Sequence, residues 1–162
     1  MNMLRKMVAS LLVLSLPIAP VAAQVAPAAN PVTLSGDVKA VKTVTDEAGS
    51  ERTELVEPTK IIPGDRLIFG TDYANNSAEP VTDFVVTNPL PNAVRLAPDA
   101  DPALVVSVDG AQSWGTLGDL TVTDENGANR AATHTDVTHV RWTLPSIAPG
   151  ESGRLEYPAI IR

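Results

Sequence analysis

From residue 32 onward, apolar and polar residues alternate with a period of two through a series of short segments. Such alternation places one set of side chains on each face of an extended strand. The clearest case begins after Ile62-Pro63-Gly64-Asp65. Leu67, Phe69, Thr71 and Tyr73 fall on one face, and Arg66, Ile68, Gly70 and Asp72 on the other. Asn75-Asn76-Ser77 is a turn cluster, and Thr82 to Thr87 is a β-branched run closed by Asn88-Pro89, with Leu90-Pro91 following. Pro89 and Pro91 cannot donate to a sheet ladder, so the strand must end there.

Upstream, Val32, Leu34 and Val38 alternate with polar residues, and the phase slips near Ala40-Val41, which predicts a β-bulge. Asp46-Glu47-Ala48-Gly49-Ser50 reads as a turn, with Thr53 to Val56 returning as a hairpin partner. Downstream, Arg95 to Pro102 reads as an Asp- and Pro-rich loop. Leu104, Val106 and Val108 alternate, Leu117 to Thr123 is a further strand candidate, and Asp124-Glu125-Asn126-Gly127 is a tight-turn signal. Val140, Trp142 and Leu144 alternate with Arg141 and Thr143, which predicts a buried Trp142 and an exposed Arg141. Leu155, Tyr157 and Ala159 form the last strand, after Ala148-Pro149-Gly150-Glu151.

No long stretch has helical periodicity, and 14 prolines and 10 glycines punctuate the strands. The pattern predicts an all-β sandwich spanning 32–162 as one domain. A closed barrel is the alternative; the proline-rich links favour edges and crossovers. With two Phe, two Tyr and two Trp, the core must be mainly Val, Leu and Ile, with Trp142 and Tyr73 as the expected central anchors.

The first residues follow a different grammar. Arg5 and Lys6 precede an apolar run from Met7 to Ile18, and Val21-Ala22-Ala23 supplies small residues before Gln24. This is the layout of a cleavable signal peptide over 1–23, and the run is short for a spanning helix. An uncleaved membrane anchor is the alternative. Residues 24–31 are Ala/Pro-rich and read as a flexible leader. The expected location is therefore outside the cytoplasm, periplasmic or at the cell surface, with no membrane insertion after signal cleavage.

Removing 23 residues from 162 leaves 139, enough for a sizeable core. Without Arg5 and Lys6, ten basic side chains face nineteen acidic ones, a net charge of −9. Such a surface argues against nucleic acid as a partner. The chain has no cysteine, so burial and sheet hydrogen bonds must hold it together, and thiol chemistry is excluded.

Several of these signals together resemble a known family. Pro63-Gly64-Asp65, then Tyr73 and Asn75 on an alternating strand, Val81 to Val86, Pro89-Leu90-Pro91 and the late Ala148-Pro149-Gly150 are similar to the pattern of the domain of unknown function eleven. That family comprises immunoglobulin-like β-sandwich repeats of bacterial and archaeal surface proteins. The resemblance covers roughly 61–162. It implies an immunoglobulin-like sandwich with a surface role and brings no catalytic residues. The segment from Pro98 to Thr138 is longer than a minimal module and has room for an inserted hairpin.

Three constellations have chemical potential. Ser107-Val108-Asp109-Gly110-Ala111-Gln112-Ser113-Trp114 looks like an Asp-box hairpin, in which Gly usually stands at Ala111 and Thr at Ser113. Its chemistry is structural: the Asp caps turn amides. His134 and His139 flank Asp136, but a spacing of five puts the histidines on opposite faces of an extended strand, unsuited to zinc. Asp99, Asp101, Asp119, Asp124, Glu125 and Asn126 can offer oxygens to calcium, although their spacing matches no EF-hand.

The expectation is a non-enzymatic, exported structural or adhesive module without catalytic residues or cofactor. It would bind protein partners at the surface or associate with itself, because Val32–Val38 and Leu155–Ile161 are candidate sheet edges. The alternative is a glycan- or peptide-binding protein using the middle insertion, which exposed aromatics there would favour. A third reading, a hydrolase, would need a histidine with a carboxylate partner in a cleft.

Overall fold

A computed structural model describes residues 30–162. The signal-peptide segment and residues 24–29 of the leader lie outside the described residues. The protein is an all-β sandwich of antiparallel strands. Among the described residues, eleven strands follow in order: β1 (Val32–Thr45), β2 (Glu51–Val56), β3 (Arg66–Asn75), β4 (Val81–Pro89), β5 (Val94–Leu96), β6 (Val105–Ser107), β7 (Gly115–Thr116), β8 (Thr121–Thr123), β9 (Asn129–Ala131), β10 (His139–Ile147) and β11 (Ser152–Ile161). One sheet has the order β2-β1-β3-β11-β5 and the other β4-β10-β6-β7. The connections from β3 to β4 and from β10 to β11 both cross between the sheets. The inserted segment does carry an extra hairpin, β8–β9, as a separate two-stranded ribbon.

The core between the sheets combines Ala40, Leu67, Leu96, Tyr157 and Ala159 from one sheet with Val106 and Val140 from the other, and Leu90, Leu104 and Val137 from the links. Tyr157, 1 % exposed, is the central aromatic residue. It stacks on Phe69 with ring planes 5° apart and touches Trp142 at 6.1 Å between centroids. This corrects the expected anchors. Tyr73 and Trp142 are only half-buried, as is Arg141. Alternation identifies the inward face; how deeply each position is buried depends on which strand lies opposite it.

Other expectations change for equally local reasons. No bulge interrupts β1. Its pairing with β3 runs unbroken from Val32 to Ala40, and its pairing with β2 from Ala40 to Thr45, with Ala40 paired to both Val56 and Leu67. The phase slip marks the point where β1 exchanges one partner for another. The segment read as a loop from Arg95 starts inside a strand: β5 pairs with the end of β11 through Leu96↔Ala159, and Leu96 and Ala97 are buried. Leu117–Asp119 forms a 3-10 turn instead of a strand, because Gly118 and Asp119 favour turning and Asp119 accepts a hydrogen bond from the Thr116 hydroxyl at 2.7 Å. Finally, β11 is an interior strand only over Ala159–Ile161, where it pairs with β5 as well as β3; on the β5 side Ser152–Tyr157 has no ladder partner among the described residues and remains an edge. The Val32–Lys39 half of β1 is one: on the side where β2 pairs further along, it has no ladder partner among the described residues.

Candidate functional site

The turns read from the sequence form with the expected chemistry. Asp46 Oδ1 accepts from the amides of Ala48 and Ser50, both at 2.9 Å. Asp124 Oδ1 does the same for Asn126 and Ala128, again at 2.9 Å. The Asp-box-like segment is the most heavily bonded of the three. Asp109 Oδ1 accepts from the amides of Gln112 and Ser113 at 3.0 Å and from the Ser107 hydroxyl at 2.7 Å, and Oδ2 accepts from the Ser113 hydroxyl at 2.6 Å. Ser113, and then Ser107, hold the Asp109 carboxyl well below the usual carboxylate range. Ala111 adopts a left-handed φ of 71°, a conformation that favours glycine. Trp114 does not enter the core. The Arg141 guanidinium sits 3.5 Å from its ring centroid, and His139 meets it edge-on at 6.2 Å.

The remaining carboxylates are dispersed. Asp99 pairs with Arg66 at 2.6 Å, Asp119 bonds to Thr116, Asp101 accepts from the Ala103 amide at 2.9 Å, and Asp124 caps its own turn. No group of three or more His, Asp or Glu side chains is arranged to hold a metal among the described residues. Asp136 is gripped by both terminal nitrogens of Arg130 at 2.7 Å and by the Thr133 amide and hydroxyl. That grip, led by Arg130, holds its carboxyl well below the ordinary range.

His139 lies in β10, with Nδ1 3.0 Å from the Thr138 hydroxyl, and His134 lies in the preceding turn segment. Among the described residues, neither histidine is bonded to a carboxylate.

Two arrangements were not read from the sequence. On the outer face of the five-stranded sheet, Arg154 reaches Asp37 at 2.6 Å, Asp72 at 3.0 Å and Glu156 at 2.5 Å. Its guanidinium occupies the space above Gly70, where an added Cβ would sit 2.0 Å from Nη2. An outward glycine in mid-strand is the sequence signal for such close approach. Glu156, Asp37 and Asp72, in that order, raise the Arg154 pKa above its ordinary value.

The second arrangement is a pocket of about 370 Å³ beneath the insertion. Buried Leu96, Leu104 and Val106 form its floor, and Leu117 and Ala132 form walls. Exposed Asp101 and half-buried His134 stand at its mouth. The lining is drawn from segments far apart in sequence, so no local motif announces it. It contains no aromatic ring besides the imidazole. No helix of the described residues is long and apolar enough to cross a membrane. Comparison of the chain with protein-family models, with curated proteins and with solved structures gives no match.

Proposed function

We propose that this chain is a non-enzymatic structural or adhesive module that works outside the cytoplasm. One observation carries the reading: five of the acidic side chains with chemical potential are engaged in holding the fold. Asp46, Asp109 and Asp124 cap turns, Asp136 and Asp99 are paired with arginines, and the histidines lack carboxylate partners among the described residues. A catalytic carboxylate needs a pKa matched to proton transfer near neutrality. Asp109 and Asp136 are displaced in the opposite direction.

In this reading the residues shared with the domain of unknown function eleven are fold-specifying, and membership of that surface family accounts for both the turn grammar and the N-terminal export layout. The unpaired half of β1, Val32–Lys39, offers backbone groups to a neighbouring chain, as a module that assembles at a surface requires.

Cell fractionation combined with intact-mass measurement tests the proposal. The expected result is a protein in the periplasmic or surface fraction, shortened by its first 23 or so residues. A full-length protein confined to the cytosol would overturn it.

A further inference from the structure

We propose that the pocket beneath the insertion binds an aliphatic group that carries a cationic nitrogen. The inference goes beyond the structural role and does not depend on it. The volume, about 370 Å³, falls within the range of small-molecule sites. The floor of Leu96, Leu104 and Val106 and the wall of Leu117 are aliphatic. A sugar ring or a planar base would find no phenyl or indole face to stack on, whereas a flexible hydrocarbon chain matches these surfaces.

The mouth selects the head group. Asp101 uses Oδ1 for the Ala103 amide, and Oδ2 has no hydrogen-bond partner among the described residues. The His134 ring likewise has none there, and it can accept from an ammonium when neutral. An anionic head group would meet the Asp101 carboxylate on an acidic protein. A cationic one is attracted by both.

The chemistry has two sources: a free alkylamine, or the side chains of an extended peptide in which a leucine stands two residues before a lysine, on the same face.

Amide NMR titration of the protein tests the proposal, with octylammonium, hexylammonium, octanoate and 1-octanol as probes. Octylammonium should shift the amides of Ala100, Leu117 and Ala132. At roughly fourfold per buried methylene, it should bind about fifteen-fold tighter than hexylammonium. Octanoate should bind more weakly than either octylammonium or 1-octanol.

Asp101→Asn should weaken octylammonium by about threefold, the scale of an exposed ion pair, and leave 1-octanol unchanged. Ala132→Phe fills the pocket and should abolish binding, with circular dichroism confirming that the variant is folded. A peptide of sequence Ala-Leu-Leu-Lys, blocked at both ends, separates the sources: tighter binding than octylammonium assigns the group to a protein partner, weaker binding to a small amine. Absence of shifts around the pocket, absence of chain-length dependence, or octanoate binding as tightly as octylammonium would overturn the proposal. So would undiminished binding to folded Asp101→Asn and Ala132→Phe together.

Discussion

The side-chain amide of Asn75 donates to the backbone carbonyl of Ile147 at 2.9 Å, tying the last residue of β3 in one sheet to the last residue of β10 in the other. The same nitrogen also lies 2.9 Å from the Glu79 carbonyl and 3.2 Å from that of Ala148, while Oδ1 accepts from the amide and hydroxyl of Ser77. Its backbone pairs with the turn that follows β10: Gly150 donates to Asn75 O, and Asn75 N donates to Glu151 O. Asn75 is 1 % exposed and Ile147 is fully buried, so the bond between them is made where water is scarce.

Asn75→Ala therefore leaves the buried Ile147 carbonyl without this donor and should cost about 1–3 kcal/mol, the usual penalty for an unmade buried bond. Asn75→Asp should be at least as damaging at neutral pH, since a carboxylate cannot donate, and should recover partly in acid. Urea denaturation of the two variants at neutral and acid pH checks both statements. A loss below about 0.5 kcal/mol, typical of surface changes, would remove Asn75 from this role.

Ala111 is the unusual residue of the Asp109 turn. It holds φ 71° in a region where a Cβ is penalised. Ala111→Gly relieves that strain and gives back part of it through greater freedom of the unfolded chain, for a net stabilisation of about 0.5–1 kcal/mol. The thermal midpoint should rise. The nearby Asp109→Ala should lower it, because the amides of Gln112 and Ser113 lose their acceptor.

The aromatic residues of the core should rank by burial. Tyr157→Ala should cost about 3–5 kcal/mol, as for other large buried rings. Trp142→Ala should cost clearly less, because Trp142 is half-buried. A double-mutant cycle between Phe69 and Tyr157 should show a coupling of about 0.5–1.5 kcal/mol from the stacked pair. Burial pushes the Tyr157 hydroxyl up to about 12, so spectrophotometric titration should find one tyrosine that ionises late.

Asp136 gives the pH dependence its sign. Its carboxyl is depressed in the folded state, chiefly by Arg130, so its contribution is complete above the unfolded value and lost as pH falls through the folded one. The stability gap between the native protein and Asp136→Asn should be constant from neutrality down to about pH 4, then narrow in stronger acid. Denaturation midpoints measured across that range test the pairing; a gap that widens in acid would contradict it.

The regular strands were legible because their signal is local. β3, β10 and β11 are legible from alternation, β4 from a β-branched run with its proline stop, and the turns at Asp46, Asp109 and Asp124 from their residue types. The rest is tertiary. Val94–Leu96 is a strand only because the end of β11 lies beside it, and Ala40 looks like a bulge only because two partners meet there. Tyr157 outranks Trp142 because it faces Phe69 across the middle of a sheet. The Asn75 tie brings together residues 72 positions apart, which a turn-and-strand reading registers as two unrelated punctuation marks. The pocket beneath the insertion shares that origin, since Leu96, Leu117 and His134 meet only in the folded chain.

The central claim is that the acidic side chains serve this fold directly, as turn caps and arginine partners, with no metal needed to hold it. Thermal unfolding followed by far-ultraviolet circular dichroism, in EDTA and in excess calcium, tests it most directly. The account predicts the same β-rich spectrum and the same midpoint in both. Calcium bound to the folded state at about a hundredfold above its dissociation constant would add about 2.7 kcal/mol and raise the midpoint by on the order of 5 °C or more. Such a rise, or loss of the β spectrum in EDTA, would contradict the claim.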